Sequence, residues 1–177
     1  MSIIDKVVAA VTPAESAEER ASARARARAA STPGDWLSMV LEHHVQLEKA
    51  FADAKAAPDS ASRLDAQKKL GVLLTGHAIA EESVVYPAMV EADEKGPAET
   101  GYNEQVMVKI QMAELEKLDP MSEAYSDKLE HIRGAVAHHM YEEEGTRFLE
   151  LKGAVSASEG DIITRRYSEE FERYVGH

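Results

Sequence analysis

The sequence predicts an all-α protein: an antiparallel up-down-up-down four-helix bundle with an N-terminal helical arm and an extra C-terminal helix. Three observations carry that expectation. Hydrophobic residues make up 44% of the 177 residues but aromatics only 6%. The core must therefore be built from Leu, Val, Ile, Met and Ala, which suit helix packing better than aromatic-rich strands do. Apolar residues recur three and four apart through four long segments, and short breaks rich in Pro, Asp, Gly and Ser separate them.

Residues 1–35 read as a separate arm. Thr12, Pro13 and Glu15 form a capping box with proline at the first helical position, which starts a helix at Pro13. That helix is rich in Ala and Arg and has almost no apolar stripe, so it is solvated or docked through alanine. Ser31-Thr32-Pro33-Gly34 stops it. The bundle is expected over 36–153. Asp35 caps a first helix over 36–56 with Leu37, Val40, Leu41, Leu47 and Phe51 inward.

Ala57-Pro58-Asp59-Ser60 ends that helix and caps a second over 60–90, whose last turn Pro87 is expected to bend. Asp93 to Pro97 reads as a turn, followed by a third helix over 98–118 with Tyr102, Val108, Met112 and Leu115 in phase. Ser122 caps a fourth helix over 122–153, striped by Tyr125, Leu129, Ile132 and Val136. Residues 154–177 contribute a last helix through Ile163, Tyr167, Phe171 and Tyr174, expected to pack on the bundle as a structural lid.

Composition excludes several functions. Lys and Arg number 20 against 32 Asp and Glu, a net charge of −12 that repels nucleic acid and anionic membranes. There is no cysteine, so thiolate zinc sites, iron–sulfur clusters and thiol nucleophiles are out, and any metal must use His and carboxylate. The HExxH, GxxxxGK and GxSxG signatures are absent. The opening residues lack the features of a secretory signal and no 18-residue apolar run occurs, so a cytoplasmic location is expected.

Histidine phase is the informative feature. His44 falls on the inward stripe of the first helix, with His43 nearer its edge. His77 and Glu81 stand four apart on the inward face of the second helix, and His139 and Glu143 repeat that spacing on the fourth. His138 and Glu142 share the spacing but are rotated by about 100°, toward an outer shell or the surface. No Lys or Arg lies on these stripes near the acids. Burying two glutamates and three imidazoles would cost several kcal/mol per unpaired charge. A pair of metal ions would supply the missing positive charge.

The segments EHHVQLEKAF, GHAIAEESVVYP and VAHHMYEEEG, in the order H, HxxxE, HxxxE over about 36–151, resemble the hemerythrin-like HHE cation-binding family. The resemblance implies a four-helix bundle holding a non-haem di-iron centre, its two Fe ions oxo- or hydroxo-bridged, that binds O₂ or reacts with it, with NO or with peroxide. Manganese or a mixed Fe/Mn pair is the lesser option. By motif the metal ligands would be His44, His77, Glu81, His139 and Glu143.

The family's third-helix histidine is missing from GYNEQVMVKIQMAELEKL, where Gln105 takes its place. Gln105, Tyr102 or Glu104 would then replace it with a harder, oxygen-type ligand, or the position stays open. The expected function is binding or sensing of O₂ or a related small oxidant. Removal of peroxide or NO by the same centre is a second possibility, and a metal-free helical interaction module a third. No nucleic-acid or membrane partner is expected, and the sequence names no protein partner or catalytic residue.

Overall fold

The computed structural model describes residues 15–176, and no strand occurs among them. The elements are α1 (Ala17–Ala30), α2 (Trp36–Ala56), α3 (Ser60–Ala80), α4 (Tyr86–Glu91), α5 (Lys95–Leu115), α6 (Glu123–Glu142), α7 (Phe148–Ala154) and α8 (Ala157–Val175). Two five-residue π-turns, Glu81–Val85 and Glu143–Arg147, join α3 to α4 and α6 to α7. The expected second and fourth helices are therefore each a long helix interrupted by a π-turn. Helices α2, α3, α5 and α6 form the bundle, packing around a ring in which each touches two others.

Local chemistry sets the helix starts. Asp35, Asp59 and Ser122 accept backbone N–H bonds from Ser38, Ser62 and Tyr125 at the starts of α2, α3 and α6. The box expected at Thr12 and Pro13 lies outside the described residues. The arm helix instead begins under a capping box between Ser16 and Glu19, and Glu15 turns its carboxylate to His138 at 2.9 Å. The segment expected to be a turn to Pro97 is already helical from Lys95. Pro97 sits in the first turn of α5, where its missing N–H costs no helical bond.

Two apolar clusters build the core. Leu47, Phe51, Leu70, Leu115, Tyr125 and Ile132 lie in one. Trp36, Leu37, Val84, Met89, Phe148 and Tyr167 lie in the other. Along α2 the first cluster takes Leu47 and the second takes Leu41, with His44 between them; along α3 they take Leu74 and Ala80, with His77 between them. The buried polar residues thus form a layer between two dry ends.

The arm docks through alanine, since Ala23 and Ala27 are fully buried. It packs against the second π-turn, α2 and α7, and Ala27 joins the second apolar cluster. Ala27→Leu should overpack that seam at a cost of about 1–3 kcal/mol. A lower urea midpoint with earlier proteolytic cleavage in the arm is the expected result.

Candidate metal centre

Every bundle helix sends a polar side chain into the layer. His44 comes from α2, His77 from α3, Gln105 from α5 and His139 from α6, while Glu81 and Glu143 open the two π-turns. All six are buried. The α3 and α6 halves are built alike: an imidazole, four residues on a carboxylate, and at that carboxylate the switch to π-geometry. The π-turn carbonyls of Glu81 and Glu143 accept from the N–H groups of Tyr86 and Phe148. Such bulges concentrate at functional sites.

On one side of the two carboxylates, His44 Nε2, His77 Nε2, Glu81 Oε1 and Glu143 Oε2 are buried without any hydrogen-bond partner. Ligand atoms of these four residues all lie within 4.8 Å of one another. His44 Nε2 stands 3.5 Å from Glu143 Oε2, and His77 Nε2 stands 3.3 Å from Glu81 Oε1. Four converging unpartnered donor atoms in a dry interior are what an ion of hard character requires.

The other oxygens of the same carboxylates face a second group. Glu143 Oε1 is 3.2 Å from His139 Nε2 and accepts from the Tyr86 hydroxyl at 2.9 Å. Glu81 Oε2 accepts from Gln105 Nε2 at 2.8 Å and lies 4.0 Å from His139 Nε2. Tyr86 Oη is also 3.3 Å from His139 Nε2. Each glutamate therefore offers one oxygen to each side, the arrangement a pair of ions bridged by two carboxylates needs. On this second side Tyr86, and Gln105 once its amide turns to present oxygen, would stand beside His139.

Tyr86 is the residue that sequence reasoning passed over. Gly101 of α5 makes room for it: a Cβ at that position would fall 2.8 Å from Tyr86 Cζ. Tyr102, the tyrosine favoured from the sequence, donates its hydroxyl to the backbone carbonyl of Glu82 at 2.7 Å and meets Tyr86 edge-on instead. Glu104 also stands outside the inner group, accepting from His139 Nδ1 at 2.8 Å and from Arg147 Nη1 at 2.9 Å. Gln105 reaches the inner group.

An outer ring fixes two of the imidazoles. His44 Nδ1 donates to Glu144 Oε1 at 2.8 Å, and Arg24 of the arm clamps Glu144 and Glu48. His139 is held the same way by Glu104 and Arg147. The expectation that no basic residue stands near the acids needs amending, because Arg147 follows Glu143 by four residues and is buried. Both arginines spend their charge on the outer acids. Among the described residues no Lys or Arg side chain bonds Glu81 or Glu143.

Protonation follows from these neighbours. Desolvation opposes charge throughout, and pushes His43 down to about 3 and His77 down to about 4. Desolvation also opposes charge on His44 and His139, but their glutamate contacts outweigh it and hold both well above the ordinary histidine value. Burial and the two carboxylates push the Tyr86 phenol well up.

Residues 36–150 match the family model for the hemerythrin HHE cation binding domain. The chain belongs to this family. A curated "DNA nickase" of Nostoc sp. (strain PCC 7120 / SAG 25.82 / UTEX 2576) is 28% identical over 98 residues, covering 55% of this chain and 27% of the nickase. The chain thus spans about a quarter of that protein's length. No solved structure matches. Within the HHE domain lie every inner polar group and the outer acids Glu104 and Glu144, whereas Arg24 and Tyr167 fall on either side of it.

Two outcomes test this geometry. Gly101→Ala should displace the Tyr86 ring and destabilise the fold by about 1–3 kcal/mol, read from urea unfolding and from the near-ultraviolet signal of buried tyrosine. Burial raises the Glu104 carboxyl, but His139 and Arg147 bring it from 4.5 down to about 2. Its contribution to stability is present above about 4.5 and fades as pH falls toward 2. Glu104→Gln should therefore flatten the acid limb of the stability profile between pH 5 and pH 2, measured as urea midpoints.

Proposed function

We propose that this HHE domain holds two non-haem iron ions and uses them to bind or sense O₂ or a related small oxidant. The observation that carries the proposal is the convergence of four unpartnered buried atoms from His44, His77, Glu81 and Glu143, continued by the second oxygens of both glutamates toward His139. His44 and His77 would hold one ion, and His139 with Tyr86 and Gln105 the other, Glu81 and Glu143 being shared. An iron pair at this place would supply the electrons that O₂ or peroxide chemistry needs.

The chain's own groups shape what reaches that place. The apolar clusters on either side keep bulk water out, which strengthens every polar contact inside. Glu144 and Glu104 hold the Nδ1 hydrogens of His44 and His139, so that each Nε2 would meet an ion once its own hydrogen is released. Tyr86 keeps its phenolic hydrogen on Glu143 Oε1 while no ion is bound, and would have to release it to hold one as phenolate.

One observation favours a second reading, turnover of peroxide or NO. Gln105 takes the third-helix position where the family's imidazole is expected, with the Tyr86 hydroxyl 3.3 Å from its amide, and phenolic and amide oxygens suit oxidised iron better than imidazole does. The net charge of −12 opposes approach to a polyanion and so weighs against the DNA cleavage that the nickase's name describes. No described helix is long and apolar enough to cross a membrane.

Anaerobic reconstitution with ferrous iron followed by air should load about two irons per chain and develop near-ultraviolet and visible charge-transfer bands. His77→Ala should lose both, and chelation should lower the melting temperature of the loaded wild type, because binding to the native state alone stabilises it. A chain that takes up no metal would overturn the proposal. Peroxide loss in proportion to iron content would select the catalytic reading.

A further inference from the structure

Each imidazole that offers Nε2 to an ion must carry its hydrogen on Nδ1, and a buried N–H needs an acceptor. For His44 and His139 the acceptors are glutamates. His77 has none. Its Nδ1 instead meets the hydroxyl of Tyr167, 3.2 Å away on α8, beyond the residues that match the family. Tyr167 is fully buried, so its own hydroxyl hydrogen must also be placed inside the protein. His43 Nδ1 lies 2.8 Å from the same oxygen and can take it when its own hydrogen is on Nε2.

We propose that Tyr167 is a positioning residue of the centre, accepting the Nδ1 hydrogen of His77 and donating its own to His43, so that His77 Nε2 faces Glu81 as a bare lone pair. The proposal rests on the metal reading above and assigns the C-terminal helix a part in it. It also gives His43, which stands apart from the inner group, a role: the acceptor that orients the phenol. The His43 ring is itself stacked on Phe171 at 3.6 Å, one helical turn after Tyr167.

The approach of α8 depends on one missing side chain. Gly76 precedes His77, and a Cβ there would fall 2.6 Å from Val175 Cγ2 and 3.3 Å from Tyr174 Cβ. Glycine lets the two helices close until the Tyr167 hydroxyl reaches the imidazole. The three imidazoles are then unequal. His44 and His139 back onto anions, which pull on the Nδ1 hydrogen and make Nε2 a stronger donor, while His77 backs onto a neutral phenol and is the weakest of the three.

The test uses the full chain with zinc as a diamagnetic probe. Zinc affinity is read by competition with a chromophoric chelator, and tautomers by long-range ¹H–¹⁵N correlation spectra of the histidine rings. In the zinc-loaded wild type, His77 should carry its hydrogen on Nδ1 and His43 on Nε2. Tyr167→Phe keeps the ring and removes only the hydroxyl; zinc affinity should fall about 10- to 100-fold, with the His43 assignment lost. His43→Gln, whose amide oxygen can still accept from the phenol, should retain more affinity than His43→Leu.

Phe171→Leu loosens the same helix without touching the hydroxyl, and should leave the His77 tautomer in place. An equal loss of affinity in Phe171→Leu and Tyr167→Phe, or unchanged affinity and tautomers in Tyr167→Phe, would overturn the positioning role while leaving the metal reading standing. A wild-type chain that binds neither zinc nor iron would overturn both.

Discussion

The structure turns on two glutamates, Glu81 and Glu143, held fully buried between apolar clusters with no lysine or arginine bonded to them among the described residues. An isolated carboxylate in such surroundings costs several kcal/mol after relaxation. The chain places arginines nearby, yet Arg24 and Arg147 are directed to Glu144 and Glu104. Outer acids are neutralised by protein and inner acids are left to imidazole, phenol and amide. That division leaves charged imidazoles, rather than lysine or arginine, to balance the inner pair, and a bound cation could take over that balance.

The two π-turns are the backbone expression of the same constraint. In an uninterrupted α-helix Tyr86 would stand about 140° around the axis from Glu81, five residues earlier. The extra residue of the π-turn takes back about 100° of that rotation, and brings the phenol under the carboxylates. The matching turn after Glu143 lets Glu144 reach His44 and Arg147 reach Glu104 from positions three residues apart. Beyond each turn the apolar stripe resumes in a new phase, with Met89 and Leu151 in the same cluster.

The flanking helices belong to the chemistry as much as to the packing. The arm brings Arg24 to Glu144 because Ala23 and Ala27 let it sit close, and α8 brings Tyr167 to His77 because Gly76 does the same. Small residues at the seams thus decide how far an outer side chain can reach inward. A bundle lacking these flanks would keep its inner donors but lose Tyr167 behind His77 and the Arg24 clamp on Glu144, the acid behind His44.

Periodicity by itself settled the helices of the bundle, their caps at Asp35, Asp59 and Ser122, and the inward phase of His44, His77, Glu81, His139 and Glu143, since each depends on neighbours three or four residues away. The third-helix position was legible only as a missing histidine; Gln105 reaches the buried layer, whereas the fold turns Tyr102 to the Glu82 carbonyl and Glu104 to the outer side of His139. Tyr86 was hidden because a regular 100° step per residue carries it to the wrong face, and no local signal marks where a helix will insert a residue. Glu144, Arg24 and Tyr167 were hidden for a different reason: their partners lie 90 to 120 residues away in the chain, and only the closing of one helix on another brings them together.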